Sequence, residues 1–199
     1  MAVWKSIPGE TPIDDISGLK PKGVTTRDQL NVVEATNIRK AVMRYLAARP
    51  SRRQAPFTLS WCYKLHGQMF GDVWRWAGNK RTTELNLGVP AWQIDVSLQN
   101  LMDDLAFWRE STNMDIFEQV ARLHHRAVSI HPFLNGNGRW SRMLANIFQK
   151  QATDLVTVWP EETVGTASII RDEYLAAVRA ADGGEYDPII GLHRRYTTD

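Results

Sequence analysis

Apolar residues recur at intervals of three and four along most of the chain, which is the spacing of one buried face of an α-helix. Thr26 followed by Gln29 forms a capping-box start, so the first helix is predicted from there to about Ala48. The same spacing predicts helices over 58–70, 94–109, 115–130, from about 139 to 151, 166–181 and 187–196. The pattern therefore predicts an all-α bundle.

Two segments depart from this pattern. Residues 1–24 are rich in Pro, Gly and Asp without helical spacing, and we expect them to form a surface arm. Residues 79–89 are short of apolar spacing and contain two threonines between Asn79 and Gly88, which predicts a small β-hairpin. The remaining residues, 25–196, are predicted to form one domain.

Composition narrows the classes of protein that fit. The chain has 199 residues, 43% hydrophobic and 23% charged, which is ordinary for one globular domain. Its net charge of +2 lacks the excess of basic residues that is typical of nucleic-acid-binding proteins, and the basic run 49–53 is interpreted as a solvated loop. A single cysteine, Cys62, excludes an internal disulfide. No leader pattern and no apolar run of about 18 residues are present, so we expect a cytoplasmic protein without a membrane partner.

The run from His131 to Arg142 carries the candidate chemistry. Pro132 cannot continue the preceding helix, so His131 is predicted at the mouth of a loop. Gly136 and Gly138 allow successive N–H groups to converge on an anion, next to the positive end of a helix that starts near Arg139.

The side chains around this loop fit a polyphosphate with a base beside it. Arg139 and Arg142 lie three residues apart, hence on one helix face, and guanidinium binds phosphate as a fork. His131 titrates near neutrality and is the candidate general base. Each element alone also occurs in ordinary turns between helices. Their combination within twelve residues predicts an anion site.

The sequence His131-Pro-Phe-Leu-Asn-Gly-Asn-Gly-Arg-Trp-Ser-Arg142 resembles the signature loop of the Fic (Fic/Doc) family, H-P-F-x-[D/E]-G-N-G-R-x-x-R. The segment from Phe70 to Gly78 with Arg81, and the segment from Ala121 to Arg126, are similar to the family's flap approach and to the helix before its loop. The run 25–196 looks Fic-like, and is most similar to the group called mobile mystery protein B.

The resemblance implies a Fic-type helical bundle that transfers AMP from ATP to a Ser, Thr or Tyr hydroxyl of a protein. His131 would deprotonate that hydroxyl, and Arg139 and Arg142 would bind the β- and γ-phosphates. The implied nucleotide-binding set is Phe133, Asn135, Gly136, Asn137, Gly138, Arg139 and Arg142. The implied flap, which would hold the target by strand addition, is Thr82, Thr83, Glu84, Leu85, Asn86 and Leu87.

Asn135 departs from the family pattern, which has Asp or Glu there to bind Mg²⁺ or Mn²⁺. A carboxamide brings no negative charge, so weaker metal binding at Asn135 is expected. Two alternatives stay open for this reason. One is transfer of a phosphate or another nucleotide group, and the other is a nucleotide-binding module with weak catalysis.

Glu34 lies on the apolar stripe of the first helix, where an unpaired carboxylate is costly. In many Fic proteins a helix with S/T-x-x-x-E-[G/N] places its Glu on the loop's second arginine and inhibits the enzyme. Here Leu30 and Ala35 differ from that motif, but we expect Glu34 to pair with Arg142 and restrain activity. The alternative is a glutamate at the edge of the stripe that reaches solvent.

The remaining candidates are weaker. His66, His124, His125 and His193 follow no zinc-binding spacing and are assigned to packing or to the surface. The family context also suggests an antitoxin-like regulator as a partner.

Overall fold

The computed structural model describes residues 16–111, 113–160 and 168–198. Within these ranges the chain forms seven α-helices and one two-stranded sheet, which confirms the predicted all-α class. The elements in chain order are α1 (Arg27–Tyr45), α2 (Leu59–Phe70), α3 (Ile94–Ser111), α4 (Ile116–Ile130), α5 (Asn137–Thr153), β1 (Val156–Thr157), α6 (Ile169–Asp182), α7 (Asp187–Tyr196) and β2 (Thr197–Thr198). A 3₁₀ turn, Ala91–Gln93, precedes α3.

Side-chain caps set the starts of the first two helices. Thr26 Oγ1 accepts the Gln29 N–H at 3.3 Å, while Gln29 Oε1 accepts the Thr26 N–H at 3.2 Å, so the predicted capping box is confirmed. Thr58 caps α2 in the same way through the Trp61 N–H. The first helix ends at Tyr45, three residues before its predicted end at Ala48.

Helix α4 lies at the centre of the bundle and packs against α3, α5, α6 and α7. Helix α5 packs against α4 and α2 and is buried along most of its length. Its Trp140 is fully buried and donates its indole N–H to the carbonyl of Cys62 at 3.2 Å, so the aromatic ring also ties α5 to α2. A loop of six residues, 131–136, joins α4 to α5.

A second, smaller apolar cluster joins the C-terminal part of the chain to α4. It contains Trp159 and residues of α6 and α7 packed on Ala121. The two strands pair antiparallel, with Val156 opposite Thr198 and Thr157 opposite Thr197. The C-terminal helices are thus fixed to the bundle by an apolar cluster and by this short sheet.

The hairpin predicted over 79–89 is absent, because the structure places no strand there. The carbonyl groups of Thr83 and Val89 accept hydrogen bonds from the guanidinium of Arg81 instead of from a second strand. The small sheet forms elsewhere, between β1 and β2. The segment is therefore an irregular flap whose backbone is held by the buried guanidinium of Arg81.

The described N-terminal segment runs beside the turn after α2. Lys20 N–H donates to Val73 O at 2.8 Å, and Arg75 N–H donates to Gly18 O at 2.9 Å. Residues 1–15 of the predicted arm lie outside the described residues. In the part of the chain that the structure describes, every helix is too short or too polar to cross a membrane.

Acid should destabilise this fold well before the carboxylates titrate. Burial lowers the pKa of His66 and His193 to about 3 and that of His131 to about 4, and it also lowers the pKa of His124. In the unfolded chain these groups regain a pKa of about 6.5, so protons bind the unfolded state first. Stability is therefore complete above about pH 6.5 and is lost as the pH falls towards the folded-state values.

We expect the free energy of unfolding to fall by roughly 2 kcal/mol per buried histidine between pH 6.5 and 5. Urea titrations at pH 7.5 and pH 5 measure this difference. His66→Gln removes one such group, so its pH dependence should be smaller by about a quarter. A pH-independent free energy over this range would show that the histidines are accessible to protons in the folded state.

Candidate active site

The turn between α4 and α5 depends on two left-handed residues. His131 follows the last residue of α4 with φ 52° and ψ 59°, and Gly136 precedes α5 with φ 79° and ψ 4°. Helix α5 begins at Asn137, two residues earlier than predicted. Gly138 therefore lies in the first helical turn, and of the two loop glycines Gly136 alone has a positive φ. The free N–H groups of this first turn face the loop, which is the arrangement that binds anions at helix N-termini.

The loop is closed by hydrogen bonds of the Asn137 side chain to the backbone of Phe133. Its Oδ1 accepts the Phe133 N–H at 2.9 Å, and its Nδ2 donates to the Phe133 carbonyl at 2.8 Å. The ring of Phe133 is fully buried and packs edge-on against Trp140. The loop backbone is thus held in one shape from inside.

His66 of α2 is a supporting residue that sequence reasoning assigned only to packing. Its ring stacks on Phe133 with centroids 3.6 Å apart and planes 13° from parallel. Its Nδ1 accepts the Gly78 N–H at 3.0 Å, so Nε2 carries the proton and donates to Asn135 O at 3.1 Å. His66 therefore joins the loop to the start of the flap, and its neutral form agrees with the lowered pKa.

His131 sits at the loop's mouth with a neutral imidazole. The residue is 8% exposed. Burial is the main cause that lowers its pKa to about 4, with a contribution from Arg81, while a hydrogen bond to the Val128 backbone opposes the shift. A ring nitrogen that donates to a backbone carbonyl leaves the other nitrogen as an acceptor. The imidazole is thus in the form that accepts a proton.

The flap is fastened to the loop by Arg81, which is 1% exposed. Its Nε donates to the carbonyl of His131 at 2.8 Å, and its backbone N–H donates to Pro132 O at 2.9 Å. Val89 N–H donates to Ile130 O at 3.2 Å, so both ends of the flap are held at the same turn. A buried guanidinium with several carbonyl partners satisfies its donors without an acidic partner in the core.

Between these two anchors the flap residues face solvent. Five of the six predicted target-binding residues are exposed, and Leu85 is half-buried. Within the described chain, the backbone groups of 82–88 make no hydrogen bond to another backbone group. This segment therefore offers backbone donors and acceptors to an added strand, even though it is not itself a hairpin.

Glu34 pairs with the first arginine of the loop, not with the second. Its Oε2 lies 2.7 Å from Arg139 Nη1, and its Oε1 accepts the indole N–H of Trp74 at 2.7 Å. The predicted pairing with Arg142 is wrong, because α1 passes the first turn of α5 on the side to which Arg139 extends. The solvent-reaching alternative is also wrong, because Glu34 is 1% exposed.

The two arginines of the loop lie against different helices, so they do not converge as their spacing suggested. The Arg139 guanidinium lies 5.0 Å from the ring centre of Phe70 on α2. The Arg142 guanidinium lies 5.5 Å from the ring centre of Tyr174 on α6. Arg142 is only 5% exposed, whereas the Arg139 side chain is 26% exposed. The second arginine is therefore the more buried of the two.

Asn135 does not fit as a ligand for Mg²⁺ in this arrangement. Its Oδ1 accepts the Gly136 N–H at 2.7 Å and lies 3.5 Å from Arg139 Nη2, so positive groups occupy the directions that a cation would need. Among the described residues no three His, Cys, Asp or Glu side chains form a cluster that could hold a metal. We therefore derive no step from a metal bound to Asn135.

The family model described as "Fic/DOC family" matches residues 56–149, which include the flap and the whole loop. This segment belongs to the Fic/DOC family. This confirms the family resemblance seen in the loop sequence, and the matched segment runs from the start of α2 to near the end of α5.

Relatives and solved structures of the Fic family support the same fold. The protein adenylyltransferase fic-1 of Caenorhabditis briggsae is 32% identical over 117 residues, which are 57% of this chain and 22% of the relative. The chain thus spans about a fifth of that relative's length. The BepC effector of Bartonella tribocorum, solved with bound AMPPNP, superposes with a TM-score of 0.69 at 19% identity over 92% of this chain and 93% of that one. The Fic domain of a Bartonella quintana effector with bound ADP gives 0.66 at 20% identity, over 93% and 92%.

Three residues that build this Fic site were not recognised from sequence as site residues. They are His66, Arg81 and Trp74, and each contacts the loop or Glu34 from a position outside the signature. Arg81 and Trp74 belong to the segment that resembles the family's flap approach, which was the available signal. His66 follows no local pattern that distinguishes it from an ordinary core histidine.

The close approach of Gly88 in the flap to His131 predicts how a substitution at Gly88 changes stability. A Cβ there would lie 2.5 Å from His131 Cβ and 2.9 Å from Ile130 O, and Gly88 has φ +95°. We expect Gly88→Ala to lower the free energy of unfolding by roughly 2–4 kcal/mol, because the clash adds to the strain of the left-handed backbone.

Gly184→Ala is the matched control, since Gly184 has φ +90° and open space around its would-be Cβ. It carries the backbone strain alone, roughly 1 kcal/mol. Urea unfolding of both variants measures the difference. Equal losses would show that the flap does not pack on His131 as described.

Proposed function

We propose that this Fic protein is an adenylyltransferase, which transfers AMP from ATP to a hydroxyl side chain of a protein. The observation that carries the proposal is the neutral imidazole of His131. It lies at the mouth of a closed loop, beside the N-terminus of α5 and beneath a flap whose backbone is available for pairing. A base, an anion site and a peptide-binding edge meet there.

His131 acts as the general base in this proposal. Its acceptor nitrogen takes the proton of the target hydroxyl, whose oxygen forms a bond to the α-phosphorus while the bond from that phosphorus to the β-phosphate bridging oxygen breaks. Pyrophosphate leaves, and AMP stays on the target. A bound polyphosphate next to the imidazole raises its pKa above the buried value of about 4, because negative charge favours the protonated form.

The loop and its arginines bind the phosphates. Gly136, Asn137 and Gly138 supply backbone N–H groups at the start of α5, while Asn135 and Phe133 hold the loop in shape. Arg139 and Arg142 neutralise the β- and γ-phosphates. The relatives solved with AMPPNP and ADP support a nucleotide substrate for this fold.

The target protein is held by strand addition to the flap. Thr82, Thr83, Glu84, Leu85, Asn86 and Leu87 lie on the exposed side of Arg81, next to His131. An extended segment that pairs with this backbone would bring a Ser, Thr or Tyr hydroxyl to the imidazole.

Glu34 restrains the enzyme through Arg139. A phosphate that binds Arg139 has to displace a carboxylate that is buried and held by Trp74 as well, so nucleotide and Glu34 compete for one guanidinium. Restraint by Glu34 thus remains our proposal, with the first arginine in place of the second.

We also propose that 25–196 form one Fic domain preceded by an arm of residues 1–24. Membership of the mobile mystery protein B group, a cytoplasmic location and an antitoxin-like partner stay predictions.

Transfer of label from α-³²P-ATP into the protein itself and into a bacterial lysate tests the activity, with Mg²⁺ or Mn²⁺ supplied. We expect labelled protein, and a loss of about 10²–10⁴-fold in His131→Ala because the base is gone. His125→Ala is the control, since His125 bonds Asp182 on α6 away from the loop.

Parallel reactions with γ-³²P-ATP separate the alternatives. Label from the γ-phosphate alone would replace adenylyl transfer with phosphate transfer. Nucleotide binding without label in any variant would identify a binding module with weak catalysis.

The restraint by Glu34 is tested with Glu34→Gln. The Gln carbonyl oxygen still accepts the Trp74 N–H, but the neutral carboxamide no longer holds Arg139, so label transfer should rise roughly tenfold with little loss of stability. Lys40→Gln, which breaks the exposed ion pair between α1 and Asp72, is the control for a charge change on α1. If the wild type transfers label and Glu34→Gln transfers it at the same rate, the ion pair of Glu34 with Arg139 is purely structural.

A further inference from the structure

A chain of buried hydrogen bonds connects α6, α4, α7 and the small sheet behind the loop. Its members are Tyr174, His124, His193, Thr157, Gln149 and Thr197. His124 and His193 are both 0% exposed, and Tyr174 is 5% exposed. The proposed reaction uses none of these residues.

The donor and acceptor of each of these hydrogen bonds can be assigned by starting from Thr197. Thr197 donates its hydroxyl proton to the carbonyl of His193 at 2.7 Å, since a carbonyl only accepts. Thr197 Oγ1 must therefore accept from Gln149 Nε2 at 2.9 Å, which turns Gln149 Oε1 towards Thr157. Thr157 donates to that oxygen at 2.7 Å and so has no proton left for a second bond.

The same logic continues through the two histidines. His193 Nδ1 must donate to Thr157 Oγ1 at 2.9 Å, which leaves His193 Nε2 as an acceptor. His124 Nδ1 donates to it at 3.0 Å, and His124 Nε2 in turn accepts the hydroxyl proton of Tyr174 at 3.1 Å. Both imidazoles are neutral in this arrangement, as their lowered pKa values require. The network therefore has one proton arrangement and fixes the Tyr174 side chain at its hydroxyl end.

The ring of Tyr174 is the surface on which Arg142 lies. The guanidinium is 5.5 Å from the ring centre, within the range of a cation–π contact. A Cβ at Gly138 would stand 3.5 Å from Arg142 Nη1, so the guanidinium also lies close to the first turn of α5. A buried guanidinium that lies against a fixed ring has little freedom to change its direction.

We infer that Tyr174 is a positioning residue, which sets the direction of the Arg142 guanidinium for the terminal phosphate of the nucleotide. The inference deepens the proposed function and rests on it for the identity of the ligand. Binding energy increases when a donor is held in its bound orientation beforehand, because no rotamer freedom is lost on binding.

Most of this support lies outside the segment that the family model matches. That segment ends at residue 149, whereas Thr157, Tyr174, His193 and Thr197 come later in the chain. The C-terminal helices and the small sheet therefore contribute to nucleotide recognition through Arg142, although they do not contact the loop's signature residues 131–138 in any hydrogen bond described above.

Two variants of Tyr174 test the inference. Tyr174→Met removes the aromatic face but fills similar space, and Tyr174→Phe keeps the face but loses the bond to His124. Calorimetric titration of the whole protein with ATP and with AMP gives the ratio of the two affinities. We expect that ratio to fall roughly tenfold in Tyr174→Met, in line with the strength of a desolvated cation–π contact, and by a smaller factor in Tyr174→Phe.

Tyr186→Met is the matched control. The guanidinium of Arg122 lies 4.3 Å from the ring centre of Tyr186, and the Tyr186 hydroxyl contacts His125 Nδ1 at 3.3 Å. Like Tyr174, this tyrosine therefore contacts both an arginine and a histidine and belongs to the same apolar cluster, but its arginine is not Arg142. It should leave the ratio unchanged. A ratio that stays at the wild-type value in Tyr174→Met, with a cooperative unfolding transition, would overturn the inference, since a merely structural residue affects ATP and AMP alike.

A readout without nucleotide separates this inference from the proposed function. The side-chain Nε–H signal of Arg142 in ¹H–¹⁵N NMR, assigned by its loss in Arg142→Lys, is shifted by the ring above which it lies. It should move in Tyr174→Met and stay in place in Tyr186→Met. If the wild type binds no nucleotide, the proposed function fails, and this signal still decides whether Tyr174 positions Arg142.

Discussion

The two hydrogen bonds from the Asn137 carboxamide to the backbone of Phe133 maintain the turn on which the site is built. They close a five-residue loop across the junction of the two central helices, where α4 ends at Ile130 and α5 starts four residues after Phe133. Without them the left-handed residues at the loop's two ends would have no internal support. The fully buried Phe133 ring then transmits this shape to His66 and Trp140 in the core. The N–H groups that face an anion are therefore an outcome of core packing.

Three buried or half-buried arginines surround this turn, and the protein satisfies each in a different way. Arg81 donates to three backbone carbonyls and lies 3.7 Å from the exposed Glu84 carboxylate, Arg139 pairs with a buried carboxylate, and Arg142 lies on an aromatic ring. These partners differ in how readily a phosphate replaces them. Removing Arg81 from its carbonyls would leave buried acceptors unpaired, so it serves as an anchor. In the proposed reaction Arg139 exchanges one anion for another, whereas the Tyr174 ring can stay against Arg142 when a phosphate binds.

Different parts of the fold contact the two arginines of the loop. Helix α1 and the turn after α2 provide the competitor for the first arginine, through Glu34 and Trp74. The C-terminal helices provide the platform for the second, through Tyr174 and the hydrogen bonds behind it. The central pair of helices carries the loop itself. If the arginines bind phosphates as proposed, substitutions in the outer helices alter that binding without a change in the loop sequence.

Local interactions along the chain determined much of this protein. The helix spacing, the capping box at Thr26 and the break at Pro132 each act within a few residues, and all of them could be read from the sequence with the right position to within a few residues. The loop sequence itself indicated the base, the anion site and the family. The place of Glu34 on an apolar stripe indicated that a buried carboxylate there would need an arginine, but it left open a glutamate that reaches solvent.

Tertiary structure alone decided which groups meet across long stretches of chain. Glu34 and Arg139 are 105 residues apart, and only the way α1 crosses the start of α5 selects this arginine over Arg142. The flap is irregular because the guanidinium of its own Arg81 donates to a flap carbonyl, that of Thr83, which a hairpin would use for strand pairing. The same guanidinium also donates to the carbonyl of His131, which lies fifty residues away in the sequence. His66 and Tyr174 acquired their roles in the same way. The sequence determines contacts between near neighbours through fixed helical geometry, whereas contacts between helices depend on the packing of the whole core.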